Sequence, residues 1–89
     1  MNTIHKYRIE TTDTQSILMP KGAEILTVQV QYGEPCLWAK VNPSNDMTLR
    51  TILTAGTGHE LPSTRTEYIG TYQLLGGDLV FHVFEEIDQ

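Results

Sequence analysis

Segments rich in valine, isoleucine, threonine, tyrosine and phenylalanine alternate along the chain with clusters of glycine, proline, asparagine and aspartate. The first composition suits the half-buried surface of a β-strand, and the second supplies the backbone conformations of turns. This pattern predicts an all-β fold, a small antiparallel β-barrel or sandwich of six to seven short strands. The strands are predicted near residues 3–10, 15–19, 23–32, 36–42, 48–55, 67–74 and 78–85.

Alternation within the strands predicts which faces are buried. In the third strand, Leu26, Val28 and Val30 share one face, and the opposite face is polar after Ile25. The fourth and seventh strands are apolar on both faces. In the fourth strand, one face has Leu37, Ala39 and Val41, and the other has Cys36 and Trp38. In the seventh strand, one face has Leu79, Phe81 and Val83, and the other has Val80 and Phe84. Such strands are usually buried on both sides. We therefore expect the second face to meet another layer or another chain, and we predict a homo-oligomer.

The local conformation of three further segments can also be predicted. Residues 74–79 (LLGGDL) predict a hairpin with Gly76 and Gly77 at its tip. Residues 46–55 leave a short helix open as an alternative, but threonine content and two-residue apolar spacing favour a strand. The acidic tail, residues 85–89, is expected to fray at its end.

Length and composition restrict the class of protein. The 89 residues predict a single domain over residues 1–89, 39% of them are hydrophobic, and the formal net charge is −5. No apolar run is long enough for a membrane helix, and residues 1–6 lack the apolar core of a signal peptide. The lone Cys36 excludes an internal disulfide. We expect a protein of the cytoplasm.

The strongest candidate for chemistry is the sequence Gly56-Thr57-Gly58-His59, which follows an apolar strand. Two glycines around a threonine can turn backbone N–H groups toward one point and so bind an anion. This interpretation predicts a phosphate or carboxylate site, with His59 as a further donor. The alternative is a tight turn in which the glycines supply positive φ angles.

The remaining candidates form no recognised catalytic motif. The spacing of His5, His59 and His82 matches no metal site, and His82 lies in the most apolar strand, where a packing or interface role is expected. A general base at His59, paired with Glu60 or Glu67, would make a small hydrolase, but nothing in the sequence requires that pairing. No catalytic residue, metal or cofactor is therefore predicted.

Scattered basic residues in an acidic chain argue against binding of polymeric nucleic acid. A small anionic ligand needs only one or two arginines. We therefore predict that Arg50 or Arg65 supplies positive charge to the ligand and that Trp38 or Tyr68 supplies a stacking surface, although Trp38 also suits a core.

Several segments together resemble one known family: MPKGAEIL at 19–26, VQVQYG at 28–33, LWAKV at 37–41, GTGH at 56–59, YIGT at 68–71 and VFHVFE at 80–85. The chain resembles, over about residues 5–85, small proteins of unknown function that are encoded mostly in phages and prophages. The resemblance implies a phage origin and carries no site residues.

This context leads to the functional prediction, a phage accessory protein in the host cytoplasm that sequesters a phosphate-bearing ligand such as a host immune nucleotide. The alternatives are an inhibitor that binds a host protein and a minor virion or assembly component.

Overall fold

A computed structural model describes residues 1–87, which form seven β-strands. The strands are β1 (Thr3–Arg8), β2 (Thr14–Pro20), β3 (Glu24–Gln31), β4 (Glu34–Val41), β5 (Met47–Gly56), β6 (Thr66–Leu74) and β7 (Leu79–Glu86). All-β structure is thus confirmed, including a strand where the helix was the alternative. The tail residues Glu85 and Glu86 belong to β7, which pairs with β5 and β6, and residues 88–89, at the end that was expected to fray, lie outside the described residues.

The described strands form two antiparallel sheets. One has three strands in the order β1-β4-β3, and the other has four in the order β2-β5-β7-β6. The sheets do not close into a barrel, so the sandwich alternative is the one that fits. They approach closely where Gly70 of β6 faces Val28 of β3, because a Cβ at position 70 would lie 2.8 Å from Val28 Cγ1. Only glycine permits this contact without a shift.

The core lies between the two sheets, and both contribute to it. Its largest fully buried side chains are Ile9, Met19, Leu37, Val41, Ile52 and Val83. The inward positions of β4 are the predicted ones, since Leu37, Ala39 and Val41 are at most 1% exposed. In β7, Val83 is fully buried as predicted, whereas Leu79 at the end of the strand is 42% exposed. Burial therefore fades toward the hairpin tip.

The alternation predicted for the third strand is wrong at Leu26. The register with β4 shifts between Ile25 and Thr27, as in a β-bulge. One extra residue reverses the phase of the alternation. Ile25 and Val28 consequently both pack on the core, and Leu26 is 45% exposed.

The second face of β4 points away from the core. Cys36 is nevertheless 3% exposed and Trp38 is half-buried. The register places Arg8 opposite Cys36 and Lys6 opposite Trp38. Long basic side chains can cover apolar surface with their methylene groups while the charge stays in water. Lys6 and Arg8 are thus the strand neighbours of Trp38 and Cys36 on the outer face of β4.

The predicted hairpin joins β6 to β7, with Leu74 paired to Leu79. A 3₁₀ turn, Leu75–Gly77, forms its tip, and Gly76 and Gly77 have φ angles of 66° and 101°. These left-handed conformations are the reason for the glycine pair.

Candidate functional site

The sequence Gly56-Thr57-Gly58-His59 forms a tight turn at the end of β5. The His59 N–H donates to the Gly56 carbonyl at 3.0 Å, and Gly58 has a φ angle of 88°. The Thr57 N–H donates to the Val80 carbonyl at 3.3 Å. Two of the backbone donors expected to face an anion therefore bond to carbonyl oxygens of the protein. This geometry is that of the tight turn considered as the alternative.

Thr57 projects from this turn toward β7. Its hydroxyl lies 2.7 Å from Nε2 of His82, and Nδ1 of the same ring lies 3.0 Å from the Thr71 hydroxyl. The Thr71 hydroxyl lies 2.6 Å from the Tyr68 phenol oxygen. Four side chains from the turn, β7 and β6 thus form one hydrogen-bonded series. It joins Thr57 to Tyr68, two predicted site residues, through His82, for which the sequence predicts a hydrogen-bonded core or interface role and no ligand contact.

His59 extends in a different direction and folds back over β5. Its Nδ1 lies 3.2 Å from the position that a Cβ on Gly56 would occupy. The absence of a side chain at Gly56 therefore makes room for the imidazole. A methyl group at position 56 would require the imidazole to move by a few tenths of an ångström.

A cleft of about 450 Å³ lies between this turn and the edge of β5. The β2–β5 register ends at Thr14 and Leu53, so β5 continues to Gly56 with β7 as its only strand neighbour among the described residues. The polar lining residues are Asp13, Thr14, Thr54, His59 and Glu60, and the apolar ones are Leu53, Ala55, Leu61 and Pro62. We call this site the edge cleft.

Thr54 borders the edge cleft, but its side chain is buried. It is 6% exposed, and its hydroxyl oxygen is buried with no hydrogen-bond partner among the described residues. Its backbone N–H donates to the Asp13 carbonyl at 3.1 Å. Residues two apart in a strand share a face, so the Thr54 side chain lies on the side of the fully buried Ile52, opposite Leu53 and Ala55.

Arg50 lies elsewhere, in a buried ion pair between the sheets. Its Nε and Nη2 both donate to the Glu85 carboxylate, and its Nη1 donates to the Ala23 carbonyl at 2.9 Å. The bonds to Glu85 raise the pKa of Arg50, against an opposing effect of desolvation. Six residues of extended strand, about 20 Å, separate Arg50 from the turn at Gly56. Arg50 is therefore too far from the turn to contact a ligand bound there, contrary to the sequence-based prediction.

The other predicted site residues are also dispersed. Arg65 precedes β6, and its carbonyl accepts from the Ile87 N–H at 2.9 Å, at the opposite end of the sheet from the turn. Trp38 lies on the outer face of the other sheet. Glu67 pairs with Glu85 in the register of β6 and β7 and lies near Arg50, so it is distant from His59. Of the two carboxylates considered for a hydrolase, only Glu60 lines the edge cleft.

Sequence reasoning missed Asp13 and Thr54. Asp13 precedes a strand in a run of polar residues, and Thr54 resembles the other threonines of its strand. Neither residue has a local signal, because their proximity to His59 depends on the pairing of β2 with β5 and on the path of residues 57–62.

Within residues 1–87, histidine, cysteine and acidic side chains do not gather in a group of three or more that could hold a metal ion. The same residues include no helix with the length and hydropathy of a membrane span.

Comparison with known proteins identifies a family but no characterised relative. A family model described as a domain of unknown function (DUF7352) matches residues 1–89, and the chain belongs to this family. No curated protein and no solved structure matches the chain.

Proposed function

We propose that this DUF7352 protein binds a small molecule in the edge cleft and releases it chemically unchanged. The observation that carries the proposal is the cleft itself. It has about 450 Å³ of space, an apolar wall that includes Leu53 and Leu61, and a few polar groups around it. Concave sites of this size, apolar with a small number of orienting polar groups, are the usual form of small-ligand sites.

The position of His59 supports the same proposal. Gly56 contributes indirectly, because it lets His59 lie against β5 and close one side of the cleft.

A phosphate-bearing ligand, in particular a host immune nucleotide, is the more specific form of the proposal and rests on the sequence. The phage resemblance favours it, and so does a turn rich in glycine. The bonded N–H groups of Thr57 and His59 count against it, as does the engagement of Arg50 by Glu85. In this form the protein would act in the cytoplasm of a phage-infected host.

The experiment that tests the proposal is native mass spectrometry of the protein purified from the cells that express it. We expect an additional mass on the chain that denaturation releases intact. The variant Ala55→Phe places a ring in the cleft and should abolish the adduct, whereas Ser16→Leu, an exposed substitution on β2 outside the lining, should retain it. An adduct of nucleotide mass would support the phosphate form. Equal adducts in both variants, or a clean mass in the wild type, would contradict the edge cleft.

Self-association is a second candidate function, and one apolar surface favours it. Leu18 and Leu49 face each other across β2 and β5 and are 54% and 63% exposed, and Met47 beside them is 55% exposed. Contiguous apolar surface of this kind marks association sites. A homo-oligomer should therefore dissociate in Leu49→Ser, measured by sedimentation velocity. Tyr32→Ser, at a turn residue that is 96% exposed, is the matched control. A monomeric wild type would overturn this candidate.

A further inference from the structure

The strand β2 is an outer strand of the four-stranded sheet, and β5 is its only strand neighbour among the described residues. Two backbone bonds at its ends indicate which residues bond to β5. The Lys21 N–H donates to the Asp46 carbonyl at 2.7 Å, and the Thr54 N–H donates to the Asp13 carbonyl at 3.1 Å. Successive residues of an antiparallel strand alternate between bonding to the partner strand and pointing the same groups away from it. The residues of β2 that bond to β5 therefore have odd numbers.

The even-numbered residues Thr14, Ser16 and Leu18 consequently direct their N–H and carbonyl groups to the open edge of the sheet. All three residues are exposed, as expected at an edge that nothing covers. A row of such groups is a template for a further strand. Pro20, the next even-numbered residue, has no N–H to donate, so the template is limited to residues 14–18.

The other three edges of the described sheets are protected. The edge strands β3 and β6 lie against each other, where Gly70 approaches Val28. The edge strand β1 carries Lys6 and Arg8, and charged side chains are a usual protection against pairing with another chain. The edge strand β2 has no charged residue from Thr14 to Pro20. It is therefore the edge that the chain leaves open to another strand.

We infer that β2 pairs with β2 of a second copy of this chain, antiparallel and about a two-fold axis, so that the two four-stranded sheets become one continuous sheet. The inference rests on the self-association proposed above and specifies its surface. A two-fold axis brings the same strand to both sides of the interface. Because residues 14–20 are uncharged, this pairing places no like charges opposite each other, although each chain has a formal net charge of −5.

The free backbone groups also specify the register of the pairing. Ser16 would lie opposite Ser16 of the second copy, and Thr14 would lie opposite Leu18, so all three residues donate and accept across the axis. A shift of two residues in one direction would place Thr14 opposite Pro20, which cannot donate. A shift in the other direction would leave Leu18 beyond the start of the facing strand.

The apolar surface beside this edge favours the same pairing. Leu18 is 54% exposed and lies on the edge strand, and its neighbour Leu49 on β5 is 63% exposed. A strand added along β2 would cover part of the Leu18 side chain on the outer face of the sheet. Removal of apolar surface from water would then add to the backbone hydrogen bonds.

A pair of lysine substitutions separates edge pairing from stacking of the outer faces. Ser16 and Thr51 lie opposite each other across β2 and β5 and share the outer face. Ser16→Lys would place two lysines opposite each other at the axis. It should raise the dimer dissociation constant about fivefold or more in sedimentation velocity, because like charges directly opposite destabilise paired strands. Thr51→Lys adds the same charge one strand away from the edge and should leave the dimer intact.

A second pair of variants tests the backbone bonds. Ser16→Pro removes the N–H at the centre of the pairing, and Ser16→Ala keeps it. Proline is tolerated on an edge strand where the lost N–H faces solvent, so Ser16→Pro should remain folded. It should be monomeric, whereas Ser16→Ala should dimerise like the wild type. Amide hydrogen exchange gives a direct measurement, since exchange at Ser16 and Leu18 of the wild type should slow as the protein concentration rises.

The outcomes distinguish this inference from the proposals on which it depends. A dimer that Ser16→Pro leaves intact, or one that Ser16→Lys and Thr51→Lys weaken equally, would overturn the edge pairing while self-association remained. Exchange at Ser16 and Leu18 that does not depend on concentration in a dimeric protein would do the same. A monomeric wild type would overturn both the edge pairing and self-association. The edge cleft is tested separately, by the mass of a bound molecule.

Discussion

The Thr57 hydroxyl and the imidazole of His82 lie 2.7 Å apart and fasten the 56–59 turn to β7. A neutral imidazole has one donor and one acceptor nitrogen, so it can bond Thr57 on one side and Thr71 on the other. The turn that forms one side of the edge cleft is therefore held by side chains as well as by the backbone.

This anchoring leads to a prediction for His82→Ala. The substitution removes both bonds, and we expect it to lower the free energy of unfolding by about 1 kcal/mol, the usual net contribution of such bonds. Thr57→Val should have a smaller effect and should add little in the His82→Ala background, because the partner is already lost. Urea denaturation of the four proteins measures the coupling. Strictly additive losses would show that the bond does not contribute.

Glu85→Gln tests the buried ion pair. The side chains of Arg50 and Glu85 are 20% and 12% exposed, so loss of the carboxylate charge leaves the Arg50 charge poorly solvated. We expect a loss of about 2–4 kcal/mol by urea denaturation.

The exposed pair of Arg8 and Glu34 provides the control for Glu85→Gln, because both side chains are more than half exposed. Glu34→Gln should cost less than about 1 kcal/mol. Equal losses in Glu85→Gln and Glu34→Gln would contradict a special role for the buried pair.

Gly70→Ala tests the close approach of the two sheets. The new Cβ would lie 2.8 Å from Val28 Cγ1, which is too close, so β3 or β6 must move. We expect a loss of about 1–3 kcal/mol in the free energy of unfolding, typical of overpacking.

Val28→Ala removes the atom with which the Gly70→Ala methyl clashes. The double variant should therefore be more stable than the sum of the two single losses predicts. If the loss of stability in the double variant equals the sum of the two single losses, the strain that Gly70→Ala causes lies in the backbone of β6 and not at Val28.

The burial of Tyr72 predicts that the free energy of unfolding falls as the pH rises in the alkaline range. Burial raises the pKa of Tyr72, and the bond to the Thr11 hydroxyl opposes part of that increase. The folded phenol keeps its proton at a pH where the unfolded phenol has lost it. This contribution to stability is therefore fully present below about pH 10, the ordinary tyrosine pKa, and is lost as the pH rises through the raised value.

Urea denaturation from about pH 8 to pH 11 measures this effect, and Tyr72→Phe is the variant to compare. Its stability should decline less steeply above about pH 10 than that of the wild type. Part of the decline should remain, because burial also raises the pKa of Tyr7. An unchanged slope in Tyr72→Phe would contradict the role of Tyr72.

The site could be predicted only in part. The glycines of the 56–59 turn predicted positive φ angles, and Gly58 has one. Whether the turn binds an anion could not be predicted from them, because an anion-binding turn and an ordinary tight turn contain the same residues. The carboxylate of Asp13 and the hydroxyl of Thr54 carry no local signal at all.

The sequence by itself determined the strands, the β6–β7 hairpin and most of the inward residues. These features depend on local preferences and on two-residue alternation, which are properties of neighbours in the chain. The alternation failed at Leu26, where a bulge depends on how β3 meets β4.

Tertiary structure alone decided between sandwich and barrel and assembled the side-chain pairs. Thr57 and His82 are 25 positions apart, and Arg50 and Glu85 are 35 apart. Such pairs meet only after the strand order and register are fixed, because register sets which residues face each other across a sheet. The same long-range pairing placed Asp13 and Thr54 beside His59 and so formed the edge cleft.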